Sequence, residues 1–229
     1  MSPSKQRIII GIDEVGRAKP AVAGRPLRNN VRMNLSRQHQ KIIIGIDEVG
    51  RGALAGPVVV AGFAARGRFF PRNSNLGALR DSKKLTPKKR EKWFEYFLSK
   101  PELRWEVSRV TPKIIDRVNI SVAANMASLR VIKKLGLRGK GFFVYLDGGL
   151  RLPENIPHRS IIKGDEKIKV IAAASIMAKV TRDRAMRHLH KKDRRYRFDI
   201  HKGYGTELHR ELIGRHGYSD NHRKTFILK

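Results

Sequence analysis

The sequence predicts an α/β fold in which a mixed sheet is flanked by helices and followed by a C-terminal helical region. Apolar segments of strand length alternate with segments of helical periodicity along most of the chain. The first two strand-like segments, residues 42–47 and 58–64, are separated by a linker that is too short for a crossover helix. They must therefore form an antiparallel hairpin, and helical segments follow the later strands, so the sheet is mixed.

Local residue patterns predict each element. Residues 42–47 are rich in β-branched side chains, as expected for a buried strand. Thr86 and Pro87 give an N-cap followed by proline at the first helical position, and Thr111 with Pro112 begins a second helical region. The predicted strands are 42–47, 58–64, 105–110, 142–146 and 159–163, and the predicted helices are 87–99, 112–135, 167–191 and 206–215.

The charge of the chain predicts a polyanionic partner. The 229 residues carry a formal net charge of +30 at pH 7, from 50 Lys and Arg against 20 Asp and Glu. Because the basic residues are distributed along the whole chain, we expect a basic folded surface rather than a charged tail. Nucleic acid is the expected partner.

Other features of the composition exclude several classes of protein. The absence of cysteine excludes disulfides, a thiolate nucleophile and a thiolate zinc site. No apolar run reaches the roughly 18 residues of a membrane span, and no amphipathic anchor stands out. The N-terminus has no apolar signal-peptide core. We therefore expect a cytoplasmic protein without a membrane contact, and a monomer is the default expectation for its oligomeric state.

The N-terminal region contains a partial duplication. Residues 7–17 repeat residues 41–51 almost letter for letter. The first copy continues into a basic segment broken by proline and lacks the second strand that a hairpin needs. We therefore predict that residues 1–40 are a partly duplicated, disordered extension, and that residues 41–229 form the folded domain.

Three predicted strands end at carboxylates. Asp47 and Glu48 follow the first strand, and Asp147 and Asp165 follow two later ones. Each acid alone is typical of a turn or a helix cap, but converging carboxylates repel one another unless cations hold them. Hard cations such as Mg²⁺ or Mn²⁺ fit oxygen ligands of this kind. Because neighbouring strand residues point to opposite faces, we expect the strand to twist or bulge between Asp47 and Glu48.

A series of motifs runs in a fixed order from residue 41 to residue 226. They are Gly45-Ile46-Asp47-Glu48-Val49-Gly50-Arg51-Gly52, Asp81-Ser82-Lys83-Lys84-Leu85, Leu146-Asp147-Gly148, Lys163-Gly164-Asp165, the segment 173–183, the segment 201–206 and the segment 222–226. Together they resemble the type 2 ribonucleases H, the ribonuclease HII family. The resemblance implies the ribonuclease H fold and hydrolysis of the RNA strand of RNA–DNA hybrids. It also implies cleavage at ribonucleotides embedded in duplex DNA, and so a role in ribonucleotide excision repair and DNA replication.

The resemblance also implies roles for individual residues. The metal-binding catalytic acids fall on Asp47, Glu48, Asp147 and Asp165, and two metal ions would give 5′-phosphate and 3′-hydroxyl products. Asp183 competes as the fourth acid, but it lies in a basic helix where Arg182 or Arg184 can pair with it. The residues expected to contact substrate are Gly50, Arg51 and Gly52 at the ribose 2′-hydroxyl, Tyr204 by stacking, and Lys163, Ser175, Lys179 and Lys202 at phosphates.

Two alternatives remain open at the level of sequence. Actin- and hexokinase-like phosphotransferases also begin with an apolar strand, Gly-Ile-Asp and a glycine turn. They would require small hydroxyl residues where this chain has Arg51. A non-catalytic RNA-binding protein would explain the positive charge but not the acids at the strand ends.

Overall fold

The computed structural model describes residues 42–67, 72–73, 76–79, 82–137 and 141–226. The predicted N-terminal extension, residues 1–40, lies outside the described residues. The domain boundary near residue 41 therefore stays a prediction.

A five-stranded mixed sheet forms the centre of the part of the chain that the structure describes. The strands are β1 (Ile42–Val49), β2 (Val58–Arg66), β3 (Arg72–Asn73), β4 (Gly77–Ala78), β5 (Arg104–Val110), β6 (Phe142–Asp147) and β7 (His158–Ile161). The strand order is β5-β2-β1-β6-β7, with β3 and β4 forming a separate short ladder. Strand β1 pairs antiparallel with β2 and parallel with β6. The predicted hairpin and the mixed sheet are both confirmed.

Seven α-helices are present in the described ranges. They are α1 (Pro87–Leu98), α2 (Pro112–Val118), α3 (Ile120–Leu135), α4 (Gly164–Lys167), α5 (Lys169–Lys192), α6 (Phe198–His201) and α7 (Glu207–His216). The predicted helix start at Thr86 is confirmed, since its hydroxyl accepts a hydrogen bond from the Lys89 amide. The region expected as one helix over 112–135 is two helices, because Asn119 has a positive φ of 66°. The Asn119 side chain then caps α3 by accepting from the Val122 amide.

The sheet separates two apolar cores. Ile44 and Ile46 of β1 lie in the core that includes buried residues of α2 and α3. Phe63 of β2 lies in the other core, together with Trp93 of α1 and the small apolar residues of α5. Both faces of the central strands are therefore covered, as the continuous apolar runs of β1 and β2 require. No helix in the described ranges is both long and apolar enough to cross a bilayer.

The C-terminal helices return to the connection between β1 and β2. Backbone bridges join Ala53 to Tyr204 and Ala55 to His222. A third apolar cluster packs the same region together, consisting of Ala55, Met186, Tyr196, Phe198 and Leu212. The predicted C-terminal helical region is therefore part of the same domain as the sheet and borders the Gly-Arg-Gly segment.

Helix α5 packs directly on β1 at Gly45. A Cβ atom added at Gly45 would collide with the backbone of Val170 and Ile171. Since the obstacle is main chain rather than the end of a flexible side chain, the helix as a whole would have to move away. The glycine therefore fixes how closely α5 approaches the strand that carries Asp47.

We expect Gly45→Ala to lower the free energy of unfolding by about 2 kcal/mol, because overpacking displaces an entire helix. Gly214→Ala is the matched control, since an added Cβ at that helical position meets nothing within 4 Å. The control should leave stability unchanged or raise it slightly. Urea unfolding of both variants measures the difference, and equal stabilities would contradict the close approach of α5.

Candidate active site

Strand pairing brings two of the predicted acids together. The parallel ladder of β1 with β6 ends at the pair Ile46 and Leu146. The next residue on each strand is an aspartate, so Asp47 and Asp147 lie side by side just beyond the last paired residues. One carboxylate oxygen from each of Asp47, Glu48 and Asp147 lies within 4.8 Å of the others. Three of the four acids that were predicted to bind metal therefore converge.

Of the twist or bulge expected between Asp47 and Glu48, the bulge is absent. The register of β1 with β2 runs without a skipped residue, pairing Asp47 with Ala61 and Glu48 with Val60. The longer Glu48 side chain reaches the other two carboxylates instead. The Asp47 side chain folds back, and its Oδ1 accepts a hydrogen bond of 2.7 Å from the Glu48 amide.

Burial and mutual repulsion perturb these carboxyls. Burial, and after it the charge of Glu48, raises the pKa of Asp47 well above its usual range, while hydrogen bonding from Ser175 acts in the opposite direction. Burial also raises the pKa of Glu48, although the Arg51 guanidinium opposes this. The Glu48 Oε2 atom is buried without a hydrogen-bond partner. An orphaned buried oxygen beside two further carboxylates is the donor set that a hard divalent cation favours.

Asp165 occupies a different position from the one predicted. The last strand ends at Ile161, and Asp165 lies within the short helix α4 rather than at a strand end. It is 5% exposed and lies 3.6 Å from the Lys83 ammonium. Asp165 is outside the group of three converging acids. However, the Gly164 amide donates a 2.7 Å hydrogen bond to Asp147, which ties the start of α4 to the cluster.

Asp183, the competing fourth acid, has a different partner from the one expected. It accepts a 2.9 Å hydrogen bond from Lys179 one helical turn away, and not from Arg182 or Arg184. Arg182 points to main-chain carbonyls, and Arg184 pairs with Glu91. The ion pair with Lys179 gives Asp183 a structural partner that is separate from the three clustered acids.

Hydrogen bonds to its carbonyl oxygens hold the Gly-Arg-Gly segment in place. Gly50 has a φ of 93°, and a side chain there would collide with Arg182. Arg223 donates to the carbonyl oxygens of Gly50 and Arg51 at 2.7 and 2.8 Å. The Arg51 side chain is engaged as well, with Glu48 at 3.3 Å and Ser121 at 2.7 Å. At Gly52, by contrast, an added Cβ would meet nothing within 4 Å, so the backbone is accessible there.

Two fully buried arginines are structural residues that the sequence did not identify. Arg223 also donates to Gly56, and Arg182 donates to Ala55, Pro57 and Lys202, so both bind carbonyls instead of carboxylates. Burial lowers the pKa of both guanidinium groups, that of Arg223 to about 9. Arg223 lies in the segment 222–226, one of the motifs on which the family resemblance rests, but the sequence analysis gave Arg223 no role. Arg182 was considered only as a partner for Asp183.

The predicted aromatic and basic contact residues lie in two places. The half-buried Tyr204 ring has the Arg182 guanidinium 5.1 Å from its centroid and the Lys179 ammonium 5.8 Å away. Lys163, at the start of α4, is exposed and has a positive φ of 54°. The ammonium of Lys202 donates to the Asp199 carbonyl. Lys179 therefore lies beside Tyr204, while Lys163 lies next to the carboxylates.

Ser175 is placed differently from the lysines. It is 1% exposed, its hydroxyl is 2.8 Å from that of Ser82, and hydrogen bonding from it lowers the pKa of Asp47. This burial favours contact with the Asp47 carboxylate over contact with a phosphate.

Three buried histidines support the loop that carries Tyr204. The rings of His201 and His209 stack at 4.1 Å, and the Nε2 atoms of His209 and His222 are 3.1 Å apart. The His209 Nδ1 atom contacts the Tyr204 carbonyl at 2.9 Å, and the Ser219 amide donates to His222 Nδ1. His222 therefore presents an Nε2–H donor and His209 an Nε2 acceptor, which requires both rings to be neutral.

Converging carboxylates at the end of a mixed sheet of this topology, beside a Gly-Arg-Gly turn and a loop with tyrosine, define a ribonuclease H-like enzyme. The ribonuclease HII of Chlamydia caviae is 45% identical over 175 residues, which cover 76% of this chain and 79% of that protein. The family model for ribonuclease HII matches residues 44–229. The chain belongs to the ribonuclease HII family, and it is an endoribonuclease that acts on RNA–DNA hybrids.

Solved structures agree with this assignment. The ribonuclease HII in its complex with PCNA from Archaeoglobus fulgidus has a TM-score of 0.66 and 29% identity, covering 82% of this chain and 96% of that one. The ribonuclease H2 from Pyrococcus horikoshii OT3 has a TM-score of 0.58 and 28% identity, covering 80% and 93%. The predicted fold and the predicted enzyme class are confirmed, and both sequence-level alternatives are set aside.

The histidine cluster predicts that stability falls in mild acid. Burial lowers the pKa of His209 and His222 from 6.5 to about 4. Below pH 6.5 the unfolded chain binds protons that the folded chain excludes, so stability decreases between pH 6.5 and 4 and changes no further from this source below pH 4. The expected loss is about 2 to 3 kcal/mol for each histidine.

Urea unfolding at several pH values measures this loss. His209→Asn should reduce the dependence between pH 6.5 and 4 without abolishing it, because His222 remains, whereas the exposed His188→Gln should leave it unchanged. An unaltered slope in the His209 variant would show that the neutral cluster is not its source.

Proposed function

We propose that this chain hydrolyses the RNA strand of RNA–DNA hybrids and also nicks duplex DNA at single embedded ribonucleotides, leaving 5′-phosphate and 3′-hydroxyl ends. The observation that carries the proposal is the convergence of Asp47, Glu48 and Asp147 within 4.8 Å at the strand ends. Membership of the ribonuclease HII family supports the substrate class.

We infer that the acidic cluster holds Mg²⁺ or Mn²⁺. Asp47, Glu48 and Asp147 supply converging oxygens, and the unpartnered Glu48 Oε2 has a lone pair available for a cation. Asp165 is proposed as the fourth acid, because the Gly164 amide connects its helix to Asp147. When bound, two divalent ions would activate the attacking water and stabilise the leaving 3′-oxygen.

The main chain of the Gly-Arg-Gly segment is proposed to recognise the ribose 2′-hydroxyl, the group that distinguishes RNA from DNA. Arg223 occupies the carbonyls of Gly50 and Arg51, and the Arg51 guanidinium is occupied by Glu48 and Ser121. The accessible part of the segment is therefore its backbone near Gly52. Tyr204, held by the bridge to Ala53, is the proposed stacking partner beside it.

Basic side chains near the site are proposed to contact the phosphates. Lys163 lies next to the carboxylates, and Lys179 and Lys202 lie on the Tyr204 side. The net charge of +30 makes a polyanionic substrate electrostatically favourable. A monomer in the cytoplasm acting in ribonucleotide excision repair and DNA replication is the setting we propose for this activity.

We expect Asp147→Asn to reduce nicking of a DNA duplex with one ribonucleotide at least about 100-fold, because it removes a charged ligand from the centre of the cluster. Binding of the duplex, measured by fluorescence anisotropy without metal, should be nearly unchanged. Glu154→Gln removes an exposed acid outside the cluster and is the matched control. Absence of cleavage by the unmodified chain with both Mg²⁺ and Mn²⁺ would refute the proposed function.

Residues 41–229 are proposed to be the complete catalytic domain. Deletion of residues 1–40 should therefore leave the rate of nicking within about twofold, because every proposed site residue lies after residue 41. The comparison uses the full chain and the truncated chain at equal concentration. A large loss of activity in a truncated chain that is still folded would show that the duplicated segment contributes to the site.

A further inference from the structure

Asp116, a residue of α2, binds the stretch of chain that follows Arg223. Its Oδ2 atom accepts a 2.9 Å hydrogen bond from the Lys224 amide. Its Oδ1 atom accepts from the Thr225 amide at 3.0 Å and from the Thr225 hydroxyl at 2.7 Å. Both carboxylate oxygens are therefore engaged by two consecutive residues, and charge-assisted bonds of this kind are stronger than those of a neutral acceptor.

Arg223 is attached on its other side to the connection between β1 and β2. Its amide donates to the Leu54 carbonyl at 2.8 Å, and the Gly56 amide donates to the Asn221 carbonyl at 2.7 Å. The main chain at Arg223 is thus held by the β1–β2 connection before it and by Asp116 after it.

The Arg223 guanidinium requires an accurate placement of its main chain. Its nitrogens donate to the carbonyls of Gly50, Arg51 and Gly56 at 2.7, 2.8 and 3.0 Å. The donors of a guanidinium lie in one rigid plane, so a displacement of the residue misaligns all of these bonds together. Hydrogen bonds weaken steeply when their angle is poor, and a buried carbonyl that loses its donor destabilises the segment that carries it.

Asp116 also places a negative charge near this buried cation. Arg223 is fully buried, and the carbonyl oxygens that it binds carry no net charge. Burial, and after it the charge of Arg182, lowers the pKa of Arg223, whereas the charge of Asp116 acts in the opposite direction. The carboxylate therefore favours the charged form of the group that holds the Gly-Arg-Gly segment.

Glu91 of α1 is a carboxylate with partners of another kind. It is half-buried, as Asp116 is, and it accepts from the side chains of Arg184 at 2.5 Å and Arg187 at 2.9 Å. Both arginines are exposed residues of α5. Loss of the charge at Glu91 therefore changes the net charge by the same amount as loss of the charge at Asp116, but it acts on surface side chains.

We propose that Asp116 is a positioning residue for ribose recognition, which acts through the main chain after Arg223 to hold the Gly-Arg-Gly segment. The inference rests on the proposed recognition of the 2′-hydroxyl by that segment. Asp116 makes no contact with substrate in this scheme. Its contribution is to keep the Arg223 donors aligned with their carbonyls, so that the backbone near Gly52 is already in place when a ribonucleotide binds.

The test compares Asp116→Asn with Glu91→Gln, since each removes one negative charge and keeps the size of the side chain. An amide nitrogen cannot accept a hydrogen bond, so Asp116→Asn loses at least one of its bonds to residues 224 and 225. The first readout is hydrogen exchange, measured by mass spectrometry, in a peptide that spans residues 50–56. We expect exchange to become roughly 3- to 10-fold faster in Asp116→Asn and to stay unchanged in Glu91→Gln.

The second readout is the preference for a ribonucleotide. It is the ratio of two dissociation constants, measured by fluorescence anisotropy without metal, for a DNA duplex with one ribonucleotide and for the same duplex without it. One additional positive charge changes both constants alike, so the ratio isolates the recognition of the ribose. We expect the preference to fall roughly 3- to 10-fold in Asp116→Asn and to stay unchanged in Glu91→Gln.

Equal exchange of residues 50–56 in the two variants would overturn the proposal, and so would an unchanged preference in a variant whose exchange is faster. If Asp116→Asn does not fold, Thr225→Val removes only the hydroxyl contact with Asp116, and the same two readouts decide. If the unmodified chain shows no preference for the ribonucleotide, the proposed recognition of the 2′-hydroxyl fails. The exchange readout alone then supports or overturns the positioning of the segment by Asp116.

Discussion

The parallel pairing of β1 with β6 is the contact on which the site depends. It ends at Ile46 and Leu146, so the next residues, Asp47 and Asp147, are forced side by side at the strand ends. Two carboxylates in this position repel each other, and burial raises the pKa of Asp47 further. The apolar runs behind them, buried on both faces of the sheet, stabilise a pairing that the charges oppose.

A second constraint is the burial of Arg182 and Arg223 beneath the Gly-Arg-Gly segment. Their planar donor groups bind carbonyl oxygens of residues 50–57, so an irregular turn is held as firmly as a regular element. Removing either guanidinium would leave several buried carbonyls without donors. The connection between the two hairpin strands is therefore fixed by residues that lie more than a hundred positions away.

The sequence predicted the elements that have strong local signals. The hairpin followed from the short linker, and the start of α1 followed from Thr86 and Pro87. The interruption at Asn119 was missed because Asn with a positive φ has no distinctive sequence pattern. The position of Asp165 within α4 was missed as well, since four-residue helices lack periodicity. Of the twist or bulge expected between Asp47 and Glu48, the bulge is absent, and the longer Glu48 side chain brings its carboxylate to the other two. The roles of Arg182 and Arg223 depend on long-range contacts, and no local pattern reports such contacts.

Helix α5 sets the distance between two halves of the site. Ser175, which lowers the pKa of Asp47, lies in its N-terminal half, and the Arg182 guanidinium, seven residues later, is 5.1 Å from the centroid of the Tyr204 ring. At 1.5 Å per residue, these positions are about 10 Å apart along the axis. The direct packing of α5 on Gly45 prevents the helix from sliding. A single residue inserted between positions 175 and 182 would turn one half by about 100° relative to the other. The length of this helical segment thus sets the distance between the acids and the aromatic ring.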